Sequence, residues 1–240
     1  VLVFVNSPGG TTTGGEALFE SLRYVAKEKP VVAQFGTIAA SAGYIVGLAA
    51  DHIVSRANTI TGSVGVLIQW PEVSQLLEKI GVTVNEIKSG PLKAGPSPFE
   101  PLNEDGKVVT RAMIDEGVRW VVSLVEARRG IKPDDIPGLT QGRVFTGREA
   151  VELRLVDEIG GEDQAVRWLR EQRNIDASLE VVDWTPKASS SLGLLGALGS
   201  IAGGLLGDSE AHLVRILGRD RSLSTLGLDG LVSVWHPAEN

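Results

Sequence analysis

A serine flanked by small residues is the first candidate for chemistry in this sequence. Ser41 lies in the segment 38–44, which reads IAASAGY, between an apolar run at 31–35 and an Ala-rich apolar run at 44–50. This pattern predicts that Ser41 lies where a strand turns into a helix, and the first N–H groups of a helix lack intrahelical acceptors. A serine there could act as a nucleophile while those N–H groups stabilise an oxyanion. An N-cap is the commoner role for such a serine, and the segment alone leaves both open.

A glycine-rich stretch follows the first apolar run of the chain. Residues 1–5 read VLVFV, and NSPGGTTTGG follows at 6–15, which predicts a buried strand, a loop and then a helix from about Glu16 to Lys27. Glycines allow backbone N–H groups to turn toward a ligand. A phosphate-binding loop would have a Lys-Ser/Thr pair at the helix start, where this chain has Glu16. An oxyanion loop is therefore favoured over a phosphate site, with a plain tight turn as the other alternative.

A nucleophilic serine requires a group that takes its proton. The chain has three histidines, and His52, which follows Asp51 at a predicted helix-to-strand boundary, is interpreted as structural. His212 and His236 lie in a C-terminal region of different composition. The remaining option is a lysine, because an ammonium desolvated in an apolar pocket loses its proton readily. Serine–lysine pairs are a known variant of the catalytic triad.

Lys93 is the lysine to consider. It lies in the segment 88–96, KSGPLKAGP, among small residues, and no acidic side chain follows until Glu100. Most lysines are solvated surface groups, so the segment alone does not distinguish a base from an ordinary surface lysine.

Four motifs in this order resemble the signal peptide peptidase A family of serine–lysine proteases. They are NSPGG at 6–10, AASAGY at 39–44, TGSVGV at 61–66 and KSGPLK at 88–93. GRVFTG at 142–147 and LVDEIG at 155–160 resemble the closing segment of the family, and the resemblance covers roughly residues 1–169. It implies the Clp/crotonase-like fold, with Ser41 as nucleophile, Lys93 as general base and Ser63 as the auxiliary serine that orients the lysine amine.

The resemblance also implies an oxyanion hole made of backbone N–H groups. Gly10 and Ala42 are the implied donors, and Gly9 could share the role. The family usually has glycine where this chain has Ala42, but alanine retains the N–H group, so the role is preserved.

Alternating strand and helix signals predict an α/β fold with a mostly parallel sheet. The predicted strands are near 1–5, 31–36, 52–56, 82–87 and 179–182. The predicted helices are near 15–28, 41–50, 71–80, 104–129, 146–153 and 162–172. Asp157 is interpreted as a turn residue and not as a catalytic acid.

A change in composition predicts two regions. Residues 1–186 are expected to form the peptidase domain, and residues 187–240 a Gly/Leu-rich C-terminal extension. The apolar run at 192–207 is short and glycine-rich for a spanning helix, so a tether or packing segment and a membrane-surface element both remain open. Residues 210–235 resume ordinary periodicity and could dock on a neighbouring subunit. The abrupt start at the first strand, without the strand–helix unit and membrane anchor of relatives, suggests a fragment of a longer protein.

Charge and composition exclude several classes of protein. The formal net charge of −7 argues against nucleic acid as the main partner, and the absence of cysteine excludes disulfides and thiolate metal sites. No His/Asp/Glu cluster has metal-site spacing, so neither a metal nor another cofactor is expected.

The expected function is that of a membrane-associated serine endopeptidase that cleaves hydrophobic peptides, such as signal-peptide remnants, through an acyl-enzyme. By resemblance, its catalytic domain would lie on the periplasmic or extracytoplasmic side of a bacterial inner membrane. The resemblance also implies a homo-oligomeric ring, an octamer in relatives. A crotonase-like acyl-CoA enzyme and an inactive ring-forming scaffold are the alternatives. A Clp-type triad is excluded because no histidine lies about two dozen residues after Ser41.

Overall fold

The computed structural model describes residues 1–184 and 232–234 of the chain. Its strands are β1 (Leu2–Ser7), β2 (Gly9–Thr11), β3 (Val32–Ala40), β4 (His52–Ser55), β5 (Ile60–Gly62), β6 (Val144–Thr146), β7 (Glu158–Ile159) and β8 (Val232–Val234). Its helices are α1 (Thr12–Val25), α2 (Ala42–Leu48), α3 (Ser74–Lys79), α4 (Glu104–Arg129), α5 (Gly147–Glu152) and α6 (Glu162–Arg173). Short 3-10 turns at Pro133–Asp135 and Leu139–Gln141 connect α4 to β6.

The main sheet is built around β3. This strand pairs in parallel with β1 and β4 along its first half, and its last residues pair in parallel with β5. The strand β7 extends the sheet beyond β4. At the other edge, β6 pairs antiparallel with β5, whereas the other strand pairs of this sheet in the described residues are parallel. The predicted α/β class with a mostly parallel sheet is therefore confirmed.

Helices cover both faces of this sheet, as parallel sheets require. Phe35 and Ile53 point into the larger core with Tyr44 of α2 and Val125 of α4. Their neighbours in the strands, among them Val32 and Val54, pack on the other face against Ala165, Trp168 and Leu169 of α6. The long central strand is thus fixed from both sides, and its carboxyl end leads directly into Ser41.

The helix α4 has the predicted range, 104–129, and capping interactions at its two ends explain where it begins and ends. The Asn103 side chain accepts a hydrogen bond from Gly106 N at 2.7 Å, which caps the first turn. Gly130 ends the helix in a left-handed conformation with φ of 63°. Buried residues lie mainly in its second half, whereas Val108, Val109 and Met113 in its first half are exposed.

Two of the predicted strands are wrong. Residues 82–87 and 179–182 form no ladder within the described part of the chain. Val82, Val84 and Ile87 are exposed, so their β-branched side chains, which suggested a strand, have no sheet to pack on. Leu179, Val181 and Val182 are exposed as well.

The N-terminal glycine-rich stretch is more ordered than a loop. Residues 9–11 form β2, which pairs antiparallel with β8. The helix α1 begins at Thr12 because the Thr11 side chain accepts a hydrogen bond from Gly14 N at 3.1 Å. The prediction, near 15 or 16, placed the start of this helix three to four residues too late.

Residues 1–176 and 232–234 belong to one compact unit, and residues 177–184 belong to a second unit. The predicted division of the chain at residue 186 stays a prediction. The apolar run at 192–207 and most of the segment 210–235 lie outside the described residues. In the part of the chain that the structure describes, no helix is long and apolar enough to cross a membrane.

Candidate active site

Ser41 occupies the junction between β3 and α2 in a strained backbone conformation. Its φ and ψ are 55° and −123°, a region that residues with a Cβ rarely adopt and that is found preferentially at functional sites. Ser41 N donates to Gly62 O at 2.9 Å, and Ser41 O accepts from Ile45 N at 3.0 Å. The side chain makes no capping hydrogen bond. Ser41 therefore holds the N-cap position without serving as a cap.

The start of α2 is fixed by packing on two sides. The Tyr44 ring is fully buried, and its hydroxyl donates to Leu155 O at 2.8 Å. Burial raises the pKa of Tyr44, so this hydroxyl stays protonated and serves the fold. On the other side, a Cβ on Gly43 would lie 2.7 Å from Ser7 O, so only glycine permits the close approach of α2 to the end of β1.

The glycine segment lies beside this junction. Gly9 has a φ of 129°, which favours glycine, and its N–H donates to Ser7 Oγ at 3.2 Å. The same hydroxyl donates back to Gly9 O at 3.2 Å. The Gly9 N–H is therefore already engaged, which counts against it as an oxyanion donor.

A groove of about 550 Å³ brings the glycine segment and the start of α2 together. Its walls include Gly9, Gly10, Ala42 and Gly43, so three of the residues predicted to bind substrate or oxyanion share one cavity. The remaining lining is mostly apolar: Val3, Phe4, Val5, Leu18, Leu22 and Val46, with Asn6, Ser7, Thr11, Gly14 and Gly15. Such a groove can accept an extended chain with aliphatic side chains.

Ser63 lies next to Ser41 across the ends of two paired strands. Ala40 of β3 is in register with Gly62 of β5, and Ser41 N donates to Gly62 O, so Ser41 and Ser63 directly follow the last pair of this ladder. Ser63 also has a positive φ, of 52°, and its N–H donates to Arg143 O at 2.9 Å. The prediction of Ser63 rested on the resemblance alone, since the short strand β5 was not predicted.

No hydrogen bond joins Lys93 to Ser41 in the described part of the chain. Lys93 lies exposed in a turn at residues 91–94, where its N–H donates to Gly90 O at 3.1 Å. Among the described residues, its ammonium group forms no ion pair, and Lys93 does not line the groove beside Ser41.

Lys88, the other lysine of the motif, has a different environment. Its ammonium lies 2.6 Å from Glu86 Oε2 and is also paired with Glu100. Hydrogen bonds to Glu100 and then to Glu86 raise the pKa of Lys88, which keeps the group charged. A charged lysine cannot accept a proton, so Lys88 is a poor candidate for the base. Glu100, the first acidic residue after Lys93, is paired with Lys88, and Lys93 is therefore the better candidate.

The side chains set aside in the sequence have structural contacts. The His52 ring stacks on Trp168 with centroids 4.8 Å apart, and its Nε2 lies 3.4 Å from Glu158 Oε2. Asp157 accepts from Ile53 N at 2.8 Å and pairs with Arg129. Both residues therefore hold β4 to the segment around β7. His212 and His236 lie outside the described residues, and the described ones contain no cluster of three or more His, Cys, Asp or Glu side chains that could hold a metal ion.

Comparison with known proteins identifies the class. The model of peptidase family S49 matches residues 23–176. A candidate protease of Synechocystis is 36% identical over 176 residues, which are 73% of this chain and 64% of that protein. A protein of Enterococcus faecium, named as a candidate signal peptide peptidase, is 35% identical over 198 residues, with 80% of this chain and 57% of that protein covered.

The chain belongs to peptidase family S49, and it therefore carries a domain of a protease family. It spans less than two thirds of the length of either of these two relatives. Among solved structures, a ClpP1 mutant from Listeria monocytogenes matches with a TM-score of 0.45 and 17% identity, over 69% of this chain and 76% of that one.

Proposed function

We propose that this protein is a serine endopeptidase in which Ser41 is the nucleophile and Lys93 the general base. The observation that carries the proposal is that Ser41, whose backbone is strained and whose hydroxyl makes no capping hydrogen bond, directly precedes Ala42 and Gly43 in the wall of the groove. Membership of a peptidase family supports the same reaction. No carboxylate side chain lines this groove in the described part of the chain, which disfavours the acyl-CoA chemistry considered as an alternative.

The proposed reaction follows from the roles of these groups. The neutral Lys93 amine accepts the proton of Ser41 Oγ as that oxygen attacks the scissile carbonyl. The N–H groups of Gly10 and Ala42 donate to the oxyanion, and Lys93 returns the proton to the leaving amine. Ser63 orients the lysine amine. Water then hydrolyses the acyl-enzyme by the reverse sequence of proton transfers.

The groove supports hydrophobic peptides as substrates. Val3, Val5, Leu18, Leu22 and Val46 contribute aliphatic surface, which favours apolar side chains by burial. Remnants of signal peptides have this character, and the name of the Enterococcus relative fits them. By the family resemblance, the enzyme would be membrane-associated, with this domain on the extracytoplasmic side of a bacterial inner membrane.

Labelling with a fluorophosphonate tests the nucleophile directly. The reagent should form one adduct, and mapping should place it on the peptide that contains Ser41, because an activated serine reacts far faster than solvated hydroxyls. The Ser41→Ala variant should remain unlabelled under the same conditions. An adduct on another serine, or none on a folded protein, would overturn the assignment.

The lack of a hydrogen bond between Lys93 and Ser41 within the described chain supports assembly. Apolar side chains are exposed along the segment between β5 and the middle of α4, which also contains Lys93: Leu76, Ile80, Val82, Val84, Ile87, Leu92, Phe99, Val108, Val109 and Met113. Exposed apolar surface of this extent is typical of an interface. We propose that further copies of the chain cover it in a closed ring, an octamer by resemblance, and that Lys93 reaches Ser41 of a neighbouring copy.

Mixing two inactive variants tests this arrangement. When Ser41→Ala and Lys93→Ala chains are coexpressed in equal amounts, about a quarter of the sites in a randomly mixed ring join an intact serine with an intact lysine. Peptidase activity should therefore return to about a quarter of the wild-type value, whereas each variant alone stays inactive. A mixture as inactive as its components would show that the dyad forms within one chain.

A further inference from the structure

A bulge in β3 lies shortly before the candidate nucleophile. Val5 of β1 pairs with Phe35 of β3, but the next pair of this ladder is Ser7 with Ala39. One residue of β1 is therefore opposite three residues of β3, the bulge at 36–38. On its other side, β3 changes its partner from β4 to β5 at the same place.

The bulge brings Ser41 toward the glycine segment. Had the first register continued, Ser7 would lie opposite Thr37, two residues before its present partner. Because strand residues are spaced about 3.3 Å apart, the bulge draws the end of β3 back by roughly 7 Å relative to β1. Gly43 then lies so close to β1 that a Cβ there would be 2.7 Å from Ser7 O. The spacing between the proposed oxyanion donors and the nucleophile thus depends on this bulge.

Asn6 closes the bulge from the side of β1. Its Oδ1 accepts hydrogen bonds from Thr37 N at 3.0 Å and from Ile38 N at 3.2 Å. A Cβ built on Gly36 would lie 3.0 Å from the same oxygen, so the bulge packs directly against the Asn6 side chain. A residue without an acceptor at this position would lack the contact that holds the two strands in the shifted register.

Thr59 holds the same bulge from the opposite side. Its Oγ1 donates to Gly36 O at 2.6 Å, and the residue is 1% exposed. Ala39 pairs with both Ser7 and Thr61, so β1 and β5 lie on opposite sides of this end of β3. Thr59 therefore stabilises the bulge by a hydrogen bond that does not involve the strand leading to the glycine segment.

We propose that Asn6 is a positioning residue of the peptidase, which holds the glycine segment and Ser41 at the spacing that oxyanion stabilisation requires. The proposal rests on the proposed function, because it concerns the geometry of that same site. Asn6 acts through the backbone of the bulge and takes no part in proton transfer. Oxyanion donors act only at hydrogen-bond distance from the developing charge, whereas the burial of apolar side chains is not directional. Loss of Asn6 should therefore lower kcat and change KM little.

Steady-state kinetics of variants of the whole chain test the proposal. Asn6→Ala should reduce kcat for an aliphatic peptide by about tenfold to a hundredfold, because a displacement on the order of 1 Å in a catalytic geometry has such a cost. The KM should stay within about twofold of the wild-type value, since the apolar wall of the groove is unchanged. Asn6→Asp should restore kcat to within about fivefold, because a carboxylate oxygen accepts from the same two N–H groups.

Thr59→Val is the matched control, because it removes the other side-chain hydrogen bond of the same bulge. It should lower the thermal midpoint at least as much as Asn6→Ala does, since Thr59 is buried and its hydrogen bond is shielded from water. Its kcat, measured well below that midpoint, should stay within about twofold of the wild-type value, because Asn6 keeps its contacts. A wild-type kcat in Asn6→Ala, equal losses of kcat in Asn6→Ala and Thr59→Val, or no recovery in Asn6→Asp would each overturn the positioning role.

Hydrogen exchange measured by mass spectrometry separates this role from the peptidase assignment. In Asn6→Ala, the segments 6–11 and 36–40 should exchange faster than in the wild type and in Asn6→Asp, whereas α6 should be unchanged. If the wild type hydrolysed no peptide, the peptidase assignment would fail, and faster exchange would still support Asn6 as the residue that fixes the two segments. Unchanged exchange at both segments in an active enzyme would overturn the role of Asn6 and leave Ser41 as the nucleophile.

Discussion

Replacement of Ser41 by alanine should reduce peptide hydrolysis by about a thousandfold or more, which is the usual cost of losing a catalytic nucleophile. The substitution removes only the attacking oxygen. Alanine has the same Cβ as serine, so the strained backbone carries the same steric cost in both proteins. The two backbone hydrogen bonds of Ser41, to Gly62 O and from Ile45 N, do not involve the hydroxyl. Turnover of a chromogenic peptide by purified protein measures the effect.

Ser21 provides the matched control for this experiment. It is an exposed serine on α1, and its hydroxyl donates to Ala17 O at 2.8 Å, away from the groove. Ser21→Ala should retain full activity, and both variants should have thermal midpoints close to that of the wild type. A Ser41→Ala protein that keeps more than roughly a thousandth of wild-type turnover would exclude Ser41 as the nucleophile.

The sequence predicts the strand-to-helix junction at Ser41 because the segments on either side of this residue determine the strand and the helix. The mostly apolar run at 31–35, interrupted only by Gln34, favours a strand buried on both faces, and an Ala-rich run after Ser41 favours a helix. The strain at Ser41 is not visible in the sequence, because it depends on how α2 is held by Tyr44 and by the contact of Gly43 with Ser7. Tertiary packing thus sets the conformation of the candidate nucleophile.

Short strands escape prediction because their stability comes from distant partners. The strand β5 has three residues, and it exists because β3 lies on one side and β6 on the other. Without β5 the sequence cannot place Ser63 beside Ser41, and only the family resemblance suggested that role. The reverse error occurs at 82–87, where strand-forming residues have no partner within the described chain.

The C-terminal region shows that pairing between strands far apart in the sequence is also difficult to predict. Periodicity in 210–235 suggested docking on a neighbouring subunit, which stays a prediction, and the three described residues of this segment pair with β2. Pairing between strands so far apart in sequence depends on an available edge. The glycine segment provides that edge, although its sequence predicted a loop.

Replacement of Lys93 should be nearly as damaging as replacement of Ser41, and replacement of Lys88 should be far less so. Lys93→Ala removes the proposed proton acceptor, with an expected loss of about a thousandfold in kcat/KM. Lys93→Arg should be equally inactive, because a guanidinium keeps its charge and cannot accept the serine proton. This pair of variants distinguishes a base from a lysine that merely supplies positive charge, since arginine would preserve the second role.

Lys88 is the internal control, because it belongs to the same motif but is held charged by Glu86 and Glu100. Lys88→Ala should lower kcat/KM by less than about tenfold, through loosening of the segment that carries Lys93. Steady-state kinetics of the three variants, with circular dichroism to verify folding, would decide between the two lysines. If Lys88→Ala were the more harmful substitution, Lys88 would have to lose its carboxylate partners in the active assembly. Lys93 would then be a surface group, and Ser41 would keep its role with a different base.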